Sequence, residues 1–390
     1  MARAQCRVKA MSDFLTDFTD SSDSPDSALT DPKHQAALKL CDALIDGWHE
    51  AASRQARSGK QAPLKAYLLL ETWADNPLAA DLEAQYPVSA RMRQAVPDEL
   101  FQNREDQAPC LVPLPPALVP QTLGAKRVTS AAAATMREQL AHWLTLASQH
   151  ARQRHVSQQL CGVILSSAEP EVIVRHWVDL GYQQHPAGSG ARLFRYQDPR
   201  VMQRVWPHLS VHQKTRWLGP VAQWWALTQP WGPWAPDEFA TGEAASPHAP
   251  DAWFCAGKPE PAPLDGPVPH TSLRALFTPT QWHAAHMTPD ANRVWKGYAA
   301  DHIAAHQQPD GATLARLLAD AACLGLTGSN LQEYVWCTWR HAAPPGTPRQ
   351  TLWTSAAGAA FLQHILTVLR QQPGTRFASV YAETLARQRA

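Results

Sequence analysis

The spacing of apolar residues in the N-terminal part of the chain predicts strands that alternate with helices. Residues 65–70 read as a buried strand, and the continuous apolar run at 160–165 is typical of a strand covered on both faces. Ile173, Trp177 and Leu180 recur at i, i+4 and i+7, which predicts a helix. The same criteria predict further strands at 110–114, 192–196 and 221–227, and helices at 31–48, 77–85 and 130–152. This alternation indicates an α/β (α+β) lobe in which helices flank a small mixed sheet.

The C-terminal part carries helical signals alone. Thr278 and Gln281 match the capping-box pattern, with Pro279 at the first helical position. Between Leu314 and Ala321, four apolar residues recur at i, i+3, i+4 and i+7. About six helices are predicted in this part of the chain, which indicates an all-helical C-terminal lobe.

These patterns divide the chain into four segments. Residues 1–30 are acidic and rich in serine, which predicts a disordered tail, and Met11 is an alternative start. The α/β domain spans 31–227. Residues 228–272 are rich in Pro and Gly and lack periodicity, which predicts a linker or surface loop. The helical lobe spans 273–390.

The stretch 191–220 predicts a strand, a tight turn and two short helices. Asp198 stands at an N-cap position and is followed by Pro199. Ser210 and Gln213 match the capping box that starts the second helix. A Gly-Pro pair ends that helix.

Composition adds expectations about compartment and partners. The 35 Lys and Arg residues nearly balance the 34 Asp and Glu residues, so the formal net charge is +1 and indicates neither nucleic acid nor an anionic membrane as a partner. Seven scattered cysteines without a C-x-x-C motif favour a reducing cytosol, so we expect a cytoplasmic protein. The uncharged segment 351–369 contains Gln363 and His364, which favours a buried helix over a membrane-inserted one.

Tryptophans crowd the region after the stretch 191–220. Residues 217–236 contain no charged residue, and Trp224, Trp225, Trp231 and Trp234 are its candidate partner-binding aromatics. Core packing between the lobes is one interpretation, and an exposed aromatic platform for a protein partner is the other. Nearby prolines favour a presented loop.

Two sets of polar residues are candidates for chemistry. Arg195, Asp198 and Arg200 could act as a general base with anion clamps, but a capped helix with an ion pair explains them without a nucleophile or a second acid, and we favour that structural interpretation. Histidines recur at metal-ligand spacing, yet no acidic residue or cysteine completes a ligand set. These histidines are His283, His286, His302 and His306. We therefore expect no metal site, no cofactor and no catalytic residue.

An ordered series of short motifs runs along residues 64–227. Its residues are Phe194, Arg195, Tyr196, Asp198, Pro199, Arg200 and Val201, then Trp206, Pro207 and 218–221, with upstream segments at 66–71, 76–78, 108–112 and 162–167. This series resembles the type VI secretion effector-adaptor family, bacterial proteins that are also called effector chaperones.

The resemblance implies an adaptor, not an enzyme, that binds one specific toxin effector and loads it onto the spike (VgrG-type) protein. It implies that the α/β lobe carries the shared recognition surface and that the helical lobe contributes to cargo choice. Signature residues would define the fold, with a partner surface as the open alternative: Phe194, Arg195, Tyr196, Asp198, Pro199, Arg200, Gly219 and Pro220. Capture of an effector segment would use edge-strand pairing or a groove between the lobes.

Two alternatives stay open at this point. One is a hydrolase or transferase of unrecognised type that uses Asp198 and nearby histidines, which requires a deep polar pocket. The other is a structural subunit of the secretion apparatus.

Overall fold

The computed structural model describes residues 32–57, 62–115, 118, 131–154, 159–188, 190–227, 253–257, 272–300, 309, 311–340, 353 and 355–389. The helices are α1 Pro32–Arg57, α2 Pro77–Gln85, α3 Pro87–Arg91, α4 Ala131–Arg154, α5 Pro170–Gly181, α6 Pro199–Val205, α7 Val211–Leu218, α8 Pro279–His286, α9 Thr288–Ala300, α10 Gly311–Cys323, α11 Gly328–Arg340, α12 Ala356–Gln371 and α13 Phe377–Arg389. The strands are β1 Lys65–Leu70, β2 Gln94–Ala95, β3 Cys110–Pro113, β4 Leu160–Ser166, β5 Tyr182–Gln184, β6 Ala191–Leu193, β7 Val221–Leu227 and β8 Trp253–Gly257. Short 3-10 helices lie at Glu99–Phe101, Glu105–Gln107, Trp206–His208 and Leu273–Ala275.

Six of these strands form one sheet in the order β2-β3-β1-β4-β7-β8. All five neighbouring pairs run antiparallel. The sequence pattern predicts a mixed sheet, and the sheet formed by the described strands is antiparallel instead. The reason is that an apolar run shows that a strand is buried but carries no information on its direction. The predicted fold class, an α+β part followed by a helical part, is confirmed.

The sheet is covered on both faces, because its side chains alternate between two cores. Leu68 and Leu70 of β1 join one core with α1, α2 and α4, while Tyr67 and Leu69 join the other with α5, α6 and α7. Every residue of β4 is buried. This two-sided burial explains the continuous apolar run in the sequence.

Part of the segment predicted as a linker belongs to the sheet. Residues 253–257 form β8, which pairs with β7 from Gln223↔Gly257 to Leu227↔Trp253. The prediction missed this strand because it is short and lies among prolines and glycines. The rest of 228–271 lies outside the described residues, as does the predicted tail at 1–30.

The motif strand is shorter than predicted. β6 ends at Leu193, where it pairs with Tyr182 of β5 in a two-stranded ribbon. Phe194 and Tyr196 then leave the strand pattern, and both side chains turn into the core. Arg195 between them is exposed, so the alternation of a strand continues, but the Tyr196 N–H donates to the Phe194 carbonyl at 2.9 Å in a local turn and not to a neighbouring strand.

The helical part has its own core, which begins at Met287 and runs to Tyr381. α8 precedes that boundary and packs on the α/β core through Trp282. Capping boxes are present at Ser210 and at Thr278, as predicted. Among the helices in the described ranges, none has the length and apolar character that a membrane crossing requires.

We expect Gly47→Ala in α1 to destabilise the fold by about 1–3 kcal/mol through overpacking. A Cβ at Gly47 would lie 2.6 Å from Cη2 of the Trp225 indole and closer still to Cζ2, and this rigid ring cannot swing away. Urea unfolding measures the change. Gly297→Ala in α9 is the matched control, since outside its own helix backbone no atom of the described residues lies within 4 Å of its Cβ position. That control should stabilise the protein by up to about 1 kcal/mol, because alanine favours the helix. An equal gain from Gly47→Ala would show that the close approach is absent.

Candidate functional site

The motif at 192–200 forms a corner between β6 and α6, and one ion pair holds it. Asp198 is the N-cap of α6 and accepts a hydrogen bond from the Arg200 backbone N–H at 2.9 Å, with Pro199 in the first turn. The Arg200 guanidinium turns back onto the same carboxylate. It donates from Nε to Oδ1 at 2.9 Å and from Nη2 to Oδ2 at 2.7 Å. Both oxygens of Asp198 are therefore engaged in a bidentate pair.

This pair sets the electrostatics of Asp198. Burial alone would raise the pKa of the carboxyl, but the charge and hydrogen bonds of Arg200, with the charge of Arg195, outweigh burial and hold that pKa below its usual value. A carboxylate with a lowered pKa is a weak base. The geometry therefore favours a structural role for Asp198 over general-base catalysis.

Aromatic packing fixes the residues before the corner. Phe194 meets Trp217 edge-on with ring centroids 5.1 Å apart and Phe277 at 4.8 Å. Tyr196 lies against Trp177 at 5.4 Å. Its hydroxyl is buried and has no hydrogen-bond partner within the described ranges, and burial raises the pKa of Tyr196 well above its usual value.

The end of α7 closes the motif against the sheet. Gly219 has a φ of 54°, and a Cβ there would lie 2.6 Å from Cδ2 of the His176 ring. The Ser166 hydroxyl of β4 donates to the Pro220 carbonyl at 2.8 Å. Glycine is needed at this position both for its φ and for the close approach of the His176 ring.

A reciprocal amide pair positions α8 beside the motif. Gln213 and Gln281 are the N3 residues of the two capping boxes. Each side-chain amide donates to the other's oxygen, at 2.8 and 3.0 Å. Gln281 also donates to the His208 carbonyl, and Gln213 to the Leu276 carbonyl. The starts of α7 and α8 are thus joined directly.

Between the corner and helices α8 and α9 lies a cleft of about 220 Å³, which we call the motif cleft. Its lining residues are Arg192, Leu193, Phe194, Arg195, Asp198, Arg200, Val201, Trp282, Ala285, His286, Thr288, Pro289 and Asn292. Sequence reasoning identified the motif wall of this cleft. It missed the opposite wall, Trp282 to Asn292, because nothing in the local pattern of α8 and α9 shows which surface they approach.

A second hollow of about 370 Å³ lies on the other side of 193–195. Arg195 lines both spaces and pairs with Glu71 at the base of the second hollow. The Arg195 side chain is 46% exposed, and the second carboxylate oxygen of Glu71 is buried with no hydrogen-bond partner in the part of the chain that the structure describes. Residues 192–195 therefore separate two concave surfaces, and we call this segment the rib.

The tryptophan platform requires a correction. Trp224 is 1% and Trp225 is 5% exposed, and they lie in the two opposite cores of the sheet. Trp224 donates from its indole nitrogen to the Cys161 carbonyl at 3.1 Å. Alternation along β7 sends one ring to each face, so neither offers an exposed surface. Trp231 and Trp234 lie outside the described residues.

The histidine pairs divide in the same way. His286 is exposed and lines the motif cleft, whereas His283 does not line it. His302 and His306 lie outside the described residues. Within the described ranges, no group of three or more His, Cys, Asp or Glu residues is arranged to hold a metal ion.

We expect Asp198→Asn to destabilise the protein by about 3–5 kcal/mol, because Arg200 would become a buried charge without its partner. Asparagine still caps a helix, so this variant removes the charge and keeps the cap. Because the folded pKa of Asp198 is lowered, its stabilisation is complete above the unfolded value of about 4 and declines as the pH falls through the folded value. The stability difference between wild type and variant should shrink in that acidic window.

Urea unfolding at several values between about pH 3 and about pH 7, the range in which aspartate titrates, measures the loss of stability and its dependence on pH. Asp179→Asn is the control, since Asp179 pairs with Arg274 where both side chains are about half exposed. Its effect should stay below about 1 kcal/mol. Equal effects of the two substitutions would contradict the buried-pair interpretation.

Comparison with known protein families places one match on this site. Residues 66–216 match the family model described as a domain of unknown function, DUF4123. The match begins in β1 and ends in α7, so it contains the corner and one wall of the motif cleft, while α8 and α9 lie beyond it. No curated protein and no solved structure matches the chain. The α/β part of the chain is thus similar to the DUF4123 family.

Proposed function

We propose that the protein is an adaptor that binds one toxin effector and loads it onto the spike (VgrG-type) protein of a type VI secretion system. The observation that carries the proposal is the DUF4123 match over 66–216. That range contains most of the ordered motifs through which the sequence resembles the effector-adaptor family. The adaptor would act in the cytoplasm, before the effector is delivered.

The geometry of the motif supports binding better than chemistry. Concave, largely apolar surfaces with a few polar groups are typical of binding sites. The motif cleft has this character, with Leu193 and Trp282 beside Arg192 and Asn292. Asp198, on which the hydrolase or transferase alternative depends, is engaged by Arg200 and has a lowered pKa.

The position of the motif cleft suits an adaptor with a shared domain and a variable lobe. One wall belongs to the DUF4123-like part, and the other wall comes from α8 and the start of α9. Arg204 of α6 is buried, and burial lowers its pKa to about 9 although the charge of Asp290 on α9 opposes this. Helices α8 and α9 also contact α6 directly, so a segment held between the two parts would contact both.

We expect tagged protein purified from its own bacterium to retain one toxin-like effector, with or without a spike protein, because the proposed adaptor forms a stable complex before loading. Mass spectrometry of the retained proteins measures this. The control is the Asp198→Asn variant, whose weakened corner should lower retention. Recovery of neither protein from cells shown to contain both would contradict the proposal. Co-assembly with baseplate parts in cells that lack every effector would favour a structural subunit.

Because Trp224 and Trp225 are buried, the hypothesis of partner-binding tryptophans now applies to Trp231 and Trp234 alone. We expect the double variant Trp231→Ala with Trp234→Ala to lose effector retention while its thermal unfolding stays unchanged, if these rings are partner anchors. Trp224→Ala is the contrasting variant and should cost about 3–5 kcal/mol of stability, because its ring is fully buried. Full effector retention by the folded double variant would remove both rings from the partner surface.

A further inference from the structure

We propose that the motif cleft binds a peptide segment in which an aspartate or glutamate side chain lies beside a large apolar side chain. This inference rests on the proposed adaptor function and names the chemistry of the segment that the adaptor holds. It follows from the charges, the unpaired polar atoms and the apolar surface of the cleft.

The first observation is the charge of the residues that line the motif cleft. Among the described residues that line the cleft, three carry guanidinium groups and one, Asp198, carries a carboxylate, which Arg200 already neutralises. The Arg192 side chain is exposed and has no hydrogen-bond or ion-pair partner within the described part of the chain. Arg195 pairs with Glu71 on its far side and is still 46% exposed. The cleft therefore carries an excess of positive charge, which complements a carboxylate.

The second observation is an unsatisfied polar atom. Asn292 of α9 lines the cleft, and its side-chain oxygen is buried without a hydrogen-bond partner among the described residues. Such an acceptor is costly to leave unpaired. A backbone N–H of a peptide laid along α9 is a donor of the right kind. The same peptide can present its carboxylate to the arginines on the opposite wall.

The third observation is the apolar surface between these polar groups. Leu193 is 42% exposed and lines the cleft, so its side chain offers apolar surface to a ligand. Trp282, Ala285 and Pro289 continue this surface across the cleft. A volume of about 220 Å³ has room for one large apolar side chain. The cleft thus complements a ligand that carries an anion, an N–H donor and an apolar group. A short acidic peptide segment has all three.

The probes are four end-capped, amidated and dye-labelled peptides of the form Gly-Ser-x-Asp-x-Ser-Gly, in which x is Leu, Ile, Phe or Val. A matched set carries Asn in place of Asp. Fluorescence anisotropy with the full chain measures affinity. At least one Asp peptide should bind about tenfold more tightly than its Asn counterpart, and this ratio should fall as salt is added. Equal binding of the two sets, or no saturable binding of any probe, overturns the inference.

Variants place the binding in the cleft. Arg192→Ala should weaken the Asp peptide about three- to tenfold and leave the Asn peptide unchanged, as expected for one partly exposed ion pair. Arg175→Ala removes an exposed arginine of α5 that does not line the cleft, and it should change neither affinity. The same loss from both variants would mean that the peptide responds to overall charge, which overturns the inference.

Asn292→Leu separates binding from folding. The substitution removes the unpaired acceptor, so thermal stability should be retained, while both peptide sets should bind more weakly. Ala285→Phe should fill the cleft and abolish binding of every probe. Unchanged peptide binding in both folded variants overturns the inference. Light scattering supplies a further test. A wild-type dimer that Ala285→Phe dissociates would also overturn the inference, because the occupant of the cleft would then be a second copy of the chain.

Effector retention is measured separately with the same variants. Retention that is lost with Arg192→Ala and kept with Arg175→Ala supports both proposals. If both Arg192→Ala and Ala285→Phe still retain the effector, the adaptor function remains supported, but the motif cleft is not the site that binds the effector. Specific peptide binding with no effector in the purification leaves the site standing and contradicts the adaptor function.

Discussion

The buried pair between Asp198 and Arg200 is the interaction on which the candidate site depends. It caps α6 and turns the chain from the ribbon into the helix, and it neutralises two charges inside the fold. A buried pair of this kind gains little over apolar packing, but breaking it is expensive because a charge is left alone. Loss of either charge would therefore leave the other buried and unpaired, and the geometry of the motif cleft depends on this corner.

The aromatic cluster holds the rib in place next to that corner. Phe194 packs between Trp217 and Phe277, so one side chain connects the motif, the end of α7 and the approach to α8. The amide pair of Gln213 and Gln281 then fixes α8 at the same place. Because both capping boxes supply the bridging side chains, local helix starts also carry a long-range contact. The motif cleft is the space that these constraints leave open.

The two walls of the motif cleft come from different parts of the chain. The rib, with Arg192 and Arg195, belongs to the part that matches DUF4123, whereas the facing wall comes from α8 and α9. Changes in α8 and α9 would alter the shape of the cleft while the cationic rib stays in place. Under the proposed adaptor function, such a division would keep one anchoring chemistry while the cargo varies.

The sequence by itself determined the local elements. Periodicity and capping residues placed β1, β4 and α5 and both capping boxes, because these depend on neighbouring residues. Tertiary structure alone decided the antiparallel direction of the strands, the inclusion of β8 in the sheet and the burial of Trp224 and Trp225. It also decided the cleft, since Arg192 and Asn292 are a hundred positions apart and meet only after folding. Local patterns show whether a residue is buried or capped, but partners distant in the chain are chosen by packing, which no single stretch encodes.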